Sequence, residues 1–342
     1  MNPDEVSVVD FFSGCGGTSV GFRDAGLNIV GAIDHDSDSA ETFRHNFEGA
    51  KVIDRDLRGV SLDEVEELTD PGAIRLFSGC APCQPFSRQN QRKSTADPRR
   101  TLLHEFQRFV TALKPELVVV ENVPGLQRPT DGGPLDGFLE TLAAHGYEAE
   151  VGVLRALEYG VPQERRRLVV VASRIGTPVL PRPSHVVTKR PARTVRKAIG
   201  HLRPLSDGGV DKFDPDHAAM RLSPNNKIRI KATPEGGDRR NWDPTLLAEC
   251  HLVHGGHTDA YGRMWWDRPA TGLTTRCLSY SNGRFGHPEQ DRAISLREAA
   301  LIQTFPRSFA FKGSLTSKGR QVGNAVPPVM ARRIAQALLK SH

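Results

Sequence analysis

No apolar run in the sequence approaches the ~20 residues of a membrane-spanning helix, so we expect no such segment. The first five residues, Met1 to Glu5, are acidic at their end and lead directly into a strand pattern, which does not resemble a secretory signal. The 342 residues include five cysteines, an odd number, which argues against a disulfide framework. Together these absences predict a protein of the reducing cytosol.

Positive charge is concentrated in one part of the chain. Residues 181–285 contain 18 Lys and Arg against 10 Asp and Glu, whereas the whole chain has a net charge of +6. The same segment contains all three tryptophans, Trp242, Trp265 and Trp266. A local basic excess is typical of a surface that binds a polyanion, although a solvated basic face is the alternative.

A glycine-rich turn follows the first predicted strand, residues 7–12. The stretch Ser13-Gly14-Cys15-Gly16-Gly17-Thr18 separates that strand from a helical pattern that begins at Ser19. Such a turn lets a ligand approach the backbone and its free N–H groups. It lacks the third glycine of the dinucleotide fingerprint and the Gly-Lys-Ser/Thr ending of a P-loop, so a plain tight turn stays an alternative.

The most distinctive stretch is Gly79-Cys80-Ala81-Pro82-Cys83-Gln84-Pro85, which follows a predicted buried strand. Because prolines fix φ and remove backbone donors, we expect Cys83 on a stiff loop beyond a strand end, where α/β sheets bind ligands. A thiol there suggests a nucleophile that reacts as the thiolate. The spacing of Cys80 and Cys83 also permits a redox pair or half of a zinc site, and both thiols could simply be packed as small hydrophobes.

Carboxylates follow three other predicted strands. Asp34 ends the second strand about twenty residues beyond the glycine turn, where it could accept hydrogen bonds from ribose hydroxyls. Asp56 follows the third strand and either faces the same pocket or caps a turn. Glu121 ends the β-branched run 117–120 and is either an acid with a raised pKa or a paired structural charge.

Strand and helix patterns alternate from residue 7 to residue 172, which predicts an α/β fold with a doubly wound parallel sheet. Prolines from Pro178 onward mark a linker. We therefore expect a first domain at 1–180 and a smaller, β-rich second domain at 181–285. Segment 286–342 should complete the first domain, because its amphipathic helix, Val329 to Leu339, needs an apolar partner.

Several blocks, in this order, resemble the DNA (cytosine-5)-methyltransferase family over about two-thirds of the chain. Because the blocks fall at predicted strand ends and keep the family's order, the resemblance is far more specific than any single motif. They are Asp10-Phe11-Phe12-Ser13-Gly14-Cys15-Gly16-Gly17, Pro82-Cys83-Gln84-Pro85-Phe86-Ser87, Glu121-Asn122-Val123, Gln163-Glu164-Arg165-Arg166-Arg167, the two stretches 268–275 and 287–292, and Gly323-Asn324-Ala325-Val326-Pro327-Pro328.

The resemblance implies a Rossmann-like, S-adenosylmethionine-dependent methyltransferase sheet with a separate target-recognition domain. It implies S-adenosyl-L-methionine as cofactor, S-adenosyl-L-homocysteine as product, and no metal. His35 stands where the family often has a large aromatic residue against the adenine, and Asp34 replaces the commoner glutamate. The implied cofactor-binding residues are Phe12, Ser13, Gly14, Cys15, Gly16, Gly17, Asp34, His35, Asp56, Pro82 and Asn324.

The same resemblance assigns catalytic roles. Cys83 is the expected nucleophile at C6 of cytosine, and Glu121 is the expected acid at N3. Arg165 is expected to donate a hydrogen bond to the base carbonyl O2, and Arg167 to orient Glu121 or a backbone segment. Cys80 is expected to be a packing residue. A base inside a duplex cannot reach such a pocket, so it must be flipped out, and the polar loop 87–100 is expected to close over it. Contacts with DNA or the base are expected from Gln84, Ser87, Arg99, Gln163, Arg268 and Thr274.

Double-stranded DNA is therefore the expected partner of a monomer in the bacterial cytoplasm or nucleoid. The enzyme would serve beside a cognate restriction endonuclease encoded elsewhere or as a solitary methylase. An RNA cytosine-5 methyltransferase, a catalytically silent DNA-binding protein and a cysteine redox enzyme are the alternatives. Zinc is a weak alternative for one histidine-rich run, since glycines there favour a loop; the spaced residues are Cys250, His251, His254 and His257.

Overall fold

The structure, a computed structural model, describes residues 1–81, 102–127, 133–186, 190–247, 249, 251 and 258–341. The chain divides into two compact units. The first comprises Met1–Tyr159, Arg166–Ser184 and Val326–His342, and the second comprises Gly160–Arg165 and His185–Ala325. The expected boundary after residue 180 lies close to the observed one after Ser184, whereas the chain re-enters the first unit at Val326 rather than at residue 286.

The first unit is built on a sheet that has seven strands among the described residues. Their spatial order is β3-β2-β1-β4-β5-β7-β6, so the order reverses between β1 and β4. The strands are β1 (Val6–Phe11), β2 (Asn28–Asp34), β3 (Lys51–Asp54), β4 (Ile74–Gly79), β5 (Leu117–Asn122), β6 (Glu148–Arg155) and β7 (Arg166–Ser173). The helices between them are α1 (Gly17–Arg23), α2 (Ser37–Asn46), α3 (Leu62–Glu66), α4 (Leu102–Leu113) and α5 (Pro134–Ala144).

Strands β1 to β5 are parallel, as the alternating pattern predicts. The expectation of a wholly parallel sheet is wrong for β7, which runs antiparallel to both β5 and β6. Residues 156–165, which join β6 to β7, form only a short 3₁₀ helix and a two-residue strand. A parallel neighbour needs a longer crossover, so β7 returns beside β6 in the opposite direction.

Phenylalanine side chains form the core between the sheet and α4. Phe11 on β1 is fully buried, and its ring centroid lies 5.1 Å from those of Phe77 and Phe106 and 5.3 Å from that of Phe109. Phe106 and Phe109 project from the buried stripe of α4. This cluster fixes α4 against β1 and β4, and thereby the strand ends at which the order of the sheet reverses.

The C-terminal helix, Pro328–Lys340, packs closely against α1. The contact depends on Gly21, because a Cβ at that position would lie 2.3 Å from the carbonyl oxygen of Pro328 and 2.6 Å from the Cβ of Ala331. The amphipathic C-terminal helix thus lies in the first unit, together with α1.

The second unit contains α6 (Val195–Ile199), α7 (Pro224–Lys231), α8 (Leu296–Ile302) and α9 (Leu315–Asn324). Among its described residues, the paired strands are the two-residue segments Gln163–Glu164 and Ala270–Thr271, apart from isolated bridges. The expectation of a β-rich domain is therefore wrong for the described part. The low helical periodicity of this segment reflects irregular backbone rather than strands.

Buried arginines hold this irregular backbone together. Arg263 is 4% exposed and donates to the carbonyl oxygens of Thr233 (2.6 Å), Ile230 (2.8 Å) and His287 (2.9 Å). Arg292 is fully buried and forms two 2.7 Å hydrogen bonds to the carboxylate of Glu298. Because Arg263 belongs to residues 181–285, part of the basic excess of that segment is used inside the protein.

No described helix has both the length and the apolar character needed to cross a bilayer.

Gly21→Ala should destabilise the protein by about 1–3 kcal/mol, because the new methyl group would overpack the contact between α1 and the C-terminal helix. Thermal and chemical unfolding of the purified variant would measure this loss. Gly137→Ala is the matched control: a Cβ there meets nothing within 4 Å, and alanine is the better helix former. An equal effect of both substitutions would contradict the packing role of Gly21.

Candidate active site

The turn after β1 is shaped by residues with positive φ. Phe12 has a φ of 54°, Gly14 of 52° and Gly16 of 93°. A Cβ at Gly16 would lie 2.6 Å from Cε2 of Phe47, so a side chain is excluded there, whereas a Cβ at Gly14 would meet nothing within 4 Å. The turn therefore leaves open space beside Gly14, at the carboxyl end of β1.

The carboxylate of Asp34, at the end of the adjacent strand β2, is bonded to this turn. Its Oδ2 accepts the N–H of Gly14 at 2.7 Å, and its Oδ1 accepts the N–H of Asp36 at 2.8 Å. Burial raises the pKa of Asp34, and the two backbone donors oppose that shift. A carboxylate oxygen has more than one acceptor position, so Asp34 can still accept a hydrogen bond from a ligand.

These residues fit the S-adenosylmethionine that the motif resemblance implies. The open space beside Gly14 admits a ligand close to the backbone, and Asp34 offers an acceptor for ribose hydroxyls. The side chain of His35 is 70% exposed, with Nδ1 3.6 Å from Oδ1 of Asp34. Cys15 is buried, and that burial raises the pKa of its thiol, so it is a packed residue of the turn rather than a nucleophile.

Asp56 caps a turn, the second of the two possibilities that the sequence leaves open. Its Oδ1 accepts the N–H of Arg58 at 3.0 Å, and its carboxylate pairs with the guanidinium of Arg58 at 2.6 Å. These hydrogen bonds lower the pKa of Asp56 to about 2. The carboxylate is half exposed, and a contact between Asp56 and the cofactor stays a prediction.

A second carboxylate lies beneath the turn and was not singled out by the sequence patterns. Asp10 on β1 is 1% exposed, and its Oδ2 accepts the hydroxyl of Ser19 on α1 at 2.6 Å. Its Oδ1 has no hydrogen-bond partner among the described residues. Burial raises the pKa of Asp10 to about 7. Asp10 thus joins the end of β1 to the start of α1 through its hydrogen bond with Ser19. Because the pKa of Asp10 is raised, its contribution to the free energy of unfolding depends on pH.

The carboxylate of Glu121, near the end of β5, is held on both oxygens. Nε of Arg167 lies 2.6 Å from Oε1, and the thiol of Cys80 donates to Oε2 at 3.0 Å. Both side chains of the ion pair are largely buried, with exposures of 15% for Arg167 and 8% for Glu121. The structure thus brings Arg167 to Glu121, the first of its two expected partners, and adds Cys80, which is expected from the sequence to be a packing residue.

Asn122 fixes the chain that leads out of this cluster. Its Nδ2 donates to the carbonyl oxygen of Ala81 at 3.2 Å, and its Oδ1 accepts the N–H of Val123 at 2.8 Å. The ends of β4 and β5 are thereby joined one residue before the proline-flanked stretch. The predicted residues Pro82, Cys83, Gln84, Ser87 and Arg99, with the loop 87–100, lie outside the described residues.

Arg165 belongs to the second unit, where it is 4% exposed. Its Nη1 donates to the carbonyl oxygens of Leu273 (2.9 Å) and Gly323 (3.2 Å), and its Nη2 to that of Asn324 (3.5 Å). Arg165 therefore joins three blocks of the motif series within this unit. Its expected contact with a base carbonyl stays a prediction.

Gln163 is fully buried in the second unit. Its amide donates to Gln303 and to the carbonyl oxygen of Ile302, and its Oε1 accepts the N–H of Leu273 at 3.1 Å. These hydrogen bonds give Gln163 a structural role within the second unit. The predicted contact of Gln163 with DNA finds no support in this burial.

The remaining predicted residues of the second unit are more accessible. Arg268 is exposed, and its guanidinium lies 4.9 Å from the ring centroid of Trp265. Asn324 is exposed at the end of α9, and Oγ1 of Thr274 accepts the N–H of Arg276 at 3.3 Å. Their expected contacts with DNA or cofactor stay predictions.

The described residues contain no cluster of three or more His, Cys, Asp or Glu side chains that could hold a metal. Of the four spaced residues considered for zinc, His251 is described, and its ring lies edge-on to Tyr261 with centroids 5.4 Å apart. Cys250, His254 and His257 lie outside the described residues.

The chain matches a known protein family over nearly its whole length. The sequence profile of the C-5 cytosine-specific DNA methylases matches residues 6–340. The chain belongs to this family. Its members methylate C5 of cytosine in DNA with S-adenosylmethionine, and methylation of DNA cytosine at C5 is the activity of this chain.

Bacterial type II methylases are similar to this family member over nearly their whole length. The type II methylase M.HgiDII of Herpetosiphon aurantiacus is 40% identical over 97% of this chain and 94% of its own. The type II methyltransferase M1.HphI of Haemophilus parahaemolyticus is 33% identical over 98% of this chain and 87% of its own. The crystal structure of a Spodoptera frugiperda DNMT2 mutant shares the fold, with a TM-score of 0.68 at 18% identity over 97% of this chain and 99% of that one.

Asp10→Asn should stabilise this methylase more at pH 8 than at pH 5. The raised pKa of Asp10 contributes stability below the unfolded value of 3.8 that is lost as the pH rises to about 7. Asparagine keeps an oxygen acceptor for Ser19 without that dependence. Thermal unfolding of both proteins from pH 5 to pH 8 would measure the difference.

Asp56→Asn is the control, since the pKa of Asp56 is lowered to about 2. Its stabilising effect is present above the unfolded value and is lost only as the pH falls toward 2, so the Asp56→Asn offset should be constant from pH 5 to pH 8. A constant offset for Asp10→Asn as well would contradict the assignment of a buried, titrating Asp10.

Proposed function

We propose that the chain transfers the methyl group of S-adenosyl-L-methionine to C5 of a cytosine flipped out of a specific duplex DNA sequence, with Cys83 as nucleophile. The observation that carries the proposal is the paired carboxylate of Glu121. It lies in the same unit as the open glycine turn and Asp34, at strand ends that share one edge of the sheet. That edge is where open α/β sheets bind their ligands.

Cys83 would supply the covalent step. C5 of cytosine is a poor nucleophile, and addition of the Cys83 thiolate to C6 gives C5 the character of an enamine carbon. Bound S-adenosylmethionine supplies an electrophilic methyl group as a sulfonium. After transfer, loss of the proton from C5 restores the aromatic ring and releases the thiolate.

Glu121 would protonate or share a proton with N3 of the base, which relieves the charge that develops on the ring. The carboxylate is oriented before any substrate is present, because Arg167 fixes Oε1 and Cys80 bonds to Oε2. Donors and acceptors fixed in advance contribute more to a transition state than groups that must first reorient.

The cofactor would be held by the glycine turn and the carboxylate of Asp34, with His35 and Asp56 as further contacts. Asn324 and Pro82 complete the set by resemblance. The open space at Gly14 and the remaining acceptor positions of Asp34 support this part of the proposal.

The second unit would act as the target-recognition domain on duplex DNA. Flipping the base is required because C6 is shielded inside the stack, and some exposed arginines of the second unit would contact phosphates while other side chains contact base edges. Arg268, exposed beside Trp265, is the described residue of the predicted set that suits this part best. The type II methylases among the relatives favour the modification enzyme of a restriction-modification system.

Cys83→Ser should abolish methyl transfer while duplex binding persists, because a hydroxyl is far less nucleophilic than a thiolate. Transfer of labelled methyl groups to plasmid DNA, followed by bisulfite sequencing of the plasmid, would measure the activity and identify the modified cytosine.

The matched control is Cys277→Ser. Cys277 is buried in the second unit and its thiol donates to the carbonyl oxygen of Gly319 at 3.5 Å, a bond that a hydroxyl can replace. We expect this variant to keep its activity. Methylation of duplex DNA by Cys83→Ser at the wild-type rate would overturn the nucleophile, and methylation of RNA rather than DNA would overturn the substrate.

A further inference from the structure

A cavity of about 350 Å³ opens within the second unit. Its buried wall includes Leu278 and Tyr280, and two exposed arginines, Arg221 and Arg276, contribute to its lining. Asn226 and Asn282 add side-chain amides. The six residues named here lie outside the motif blocks, although the lining also includes Thr275, the last residue of the block 268–275.

The charged side chains that line this cavity are positive. None of the described residues that line it is acidic. Neither Arg221 nor Arg276 forms a side-chain hydrogen bond, ion pair or cation–π contact within the described part of the chain, whereas other arginines of the same unit are paired. Arg203 pairs with Asp211, and Arg240 with Asp238, at 2.6 and 2.7 Å.

We propose that this cavity binds a phosphodiester group of the DNA substrate between Arg221 and Arg276. The inference rests on the proposed function of the second unit and assigns it a specific anion site. Guanidinium groups form bidentate, charge-assisted bonds to phosphate oxygens, and the side-chain amides can add neutral donors. Contacts of this kind position a protein on duplex DNA without selecting its sequence.

Arg221→Ala and Arg276→Ala should each weaken binding to a 30-base-pair duplex of arbitrary sequence and reduce the slope of log K against log salt by about 1. Fluorescence anisotropy across a salt series would give the slopes. Arg276→Lys should recover part of the affinity and most of the slope, since it keeps the charge but loses the bidentate fork. Arg193→Ala removes an exposed arginine of the same unit outside the cavity lining and should leave the slope within error of wild type.

The outcomes distinguish failure of the phosphate site from failure of the proposed function. If wild-type protein methylates and binds duplex DNA but the two cavity variants match Arg193→Ala, the phosphate site is wrong and the proposed function stands. If the cavity variants instead change which plasmid cytosines are methylated, with unchanged slopes, the cavity contacts bases and the phosphate assignment is also wrong. Failure of wild-type protein to bind or methylate duplex DNA would overturn the proposed function itself.

A separate observation concerns the thiol of Cys80. It donates to Oε2 of Glu121 at 3.0 Å, on the side of the carboxylate opposite the ion pair with Arg167. The backbone on both sides is fixed, because the N–H of Cys80 donates to the carbonyl oxygen of Phe11 at 3.2 Å and Ala81 is bonded to Asn122. The thiol therefore lies on a fixed strand end rather than on a loop that could carry it away.

We infer that Cys80 is a positioning residue for Glu121. With Arg167 on one oxygen and Cys80 on the other, the carboxylate plane cannot rotate without breaking one of the two contacts. The role requires a hydrogen-bond donor of similar size, not a reactive thiol, so serine should serve in its place.

Cys80→Ala should lower the single-turnover rate of methyl transfer at saturating DNA and cofactor by roughly 10-fold, the effect of one lost bond to a charged group. DNA affinity should not change. Cys80→Ser should restore the rate to within about threefold of wild type, since the hydroxyl keeps a donor near Oε2.

The decisive comparison is made in a Glu121→Gln background. If Cys80 acts through the carboxylate, replacing it with alanine should have a much smaller effect there, because the two substitutions share one interaction. A Cys80→Ser variant as slow as Cys80→Ala, or an alanine effect of equal size in both backgrounds, would overturn the positioning role. Equal thermal stability of the serine and alanine variants would show that folding is not the cause of a rate difference.

Discussion

The ion pair between Glu121 and Arg167 is the interaction on which the carboxyl-end edge of the sheet at β5 depends. It exists because β7 runs antiparallel to β5: in that register Asn122 lies opposite Leu168, so the first residues of β7 lie where β5 ends. A parallel β7 would have placed Arg167 at the opposite edge of the sheet. A buried charge without its partner is costly, so the pair and the strand direction support each other.

At the ends of β1 and β2, the same sheet edge depends on close packing of the backbone of the glycine turn. The glycine turn can form only because Gly16 has no side chain to meet Phe47 and Phe43. The turn is then bonded to β2 through Asp34 and anchored beneath by Asp10 through Ser19. Two buried carboxylates of raised pKa near one ligand space are expensive for stability, and such costs are typical of functional sites rather than of ordinary cores.

The second unit shows how one residue type serves two purposes. Arg263 and Arg292 are buried. Their hydrogen bonds to backbone carbonyl oxygens and to a carboxylate stabilise backbone that has little regular secondary structure. Arg221 and Arg276 are exposed without such partners. The sequence shows a basic segment but not this division, because both kinds of arginine occur in polar, glycine-rich surroundings with no periodicity to distinguish inside from outside.

The sequence by itself determined the parallel strands β1 to β5, the turn after β1, the acidic strand ends and the family, because these depend on local patterns and on motif order. Tertiary structure decided the direction of β7, the burial of Gln163 and the hydrogen bond from Cys80 to Glu121. Those features join residues that are distant in sequence. Neither spacing nor composition records which of many polar side chains meets which, since that depends on packing over the whole chain.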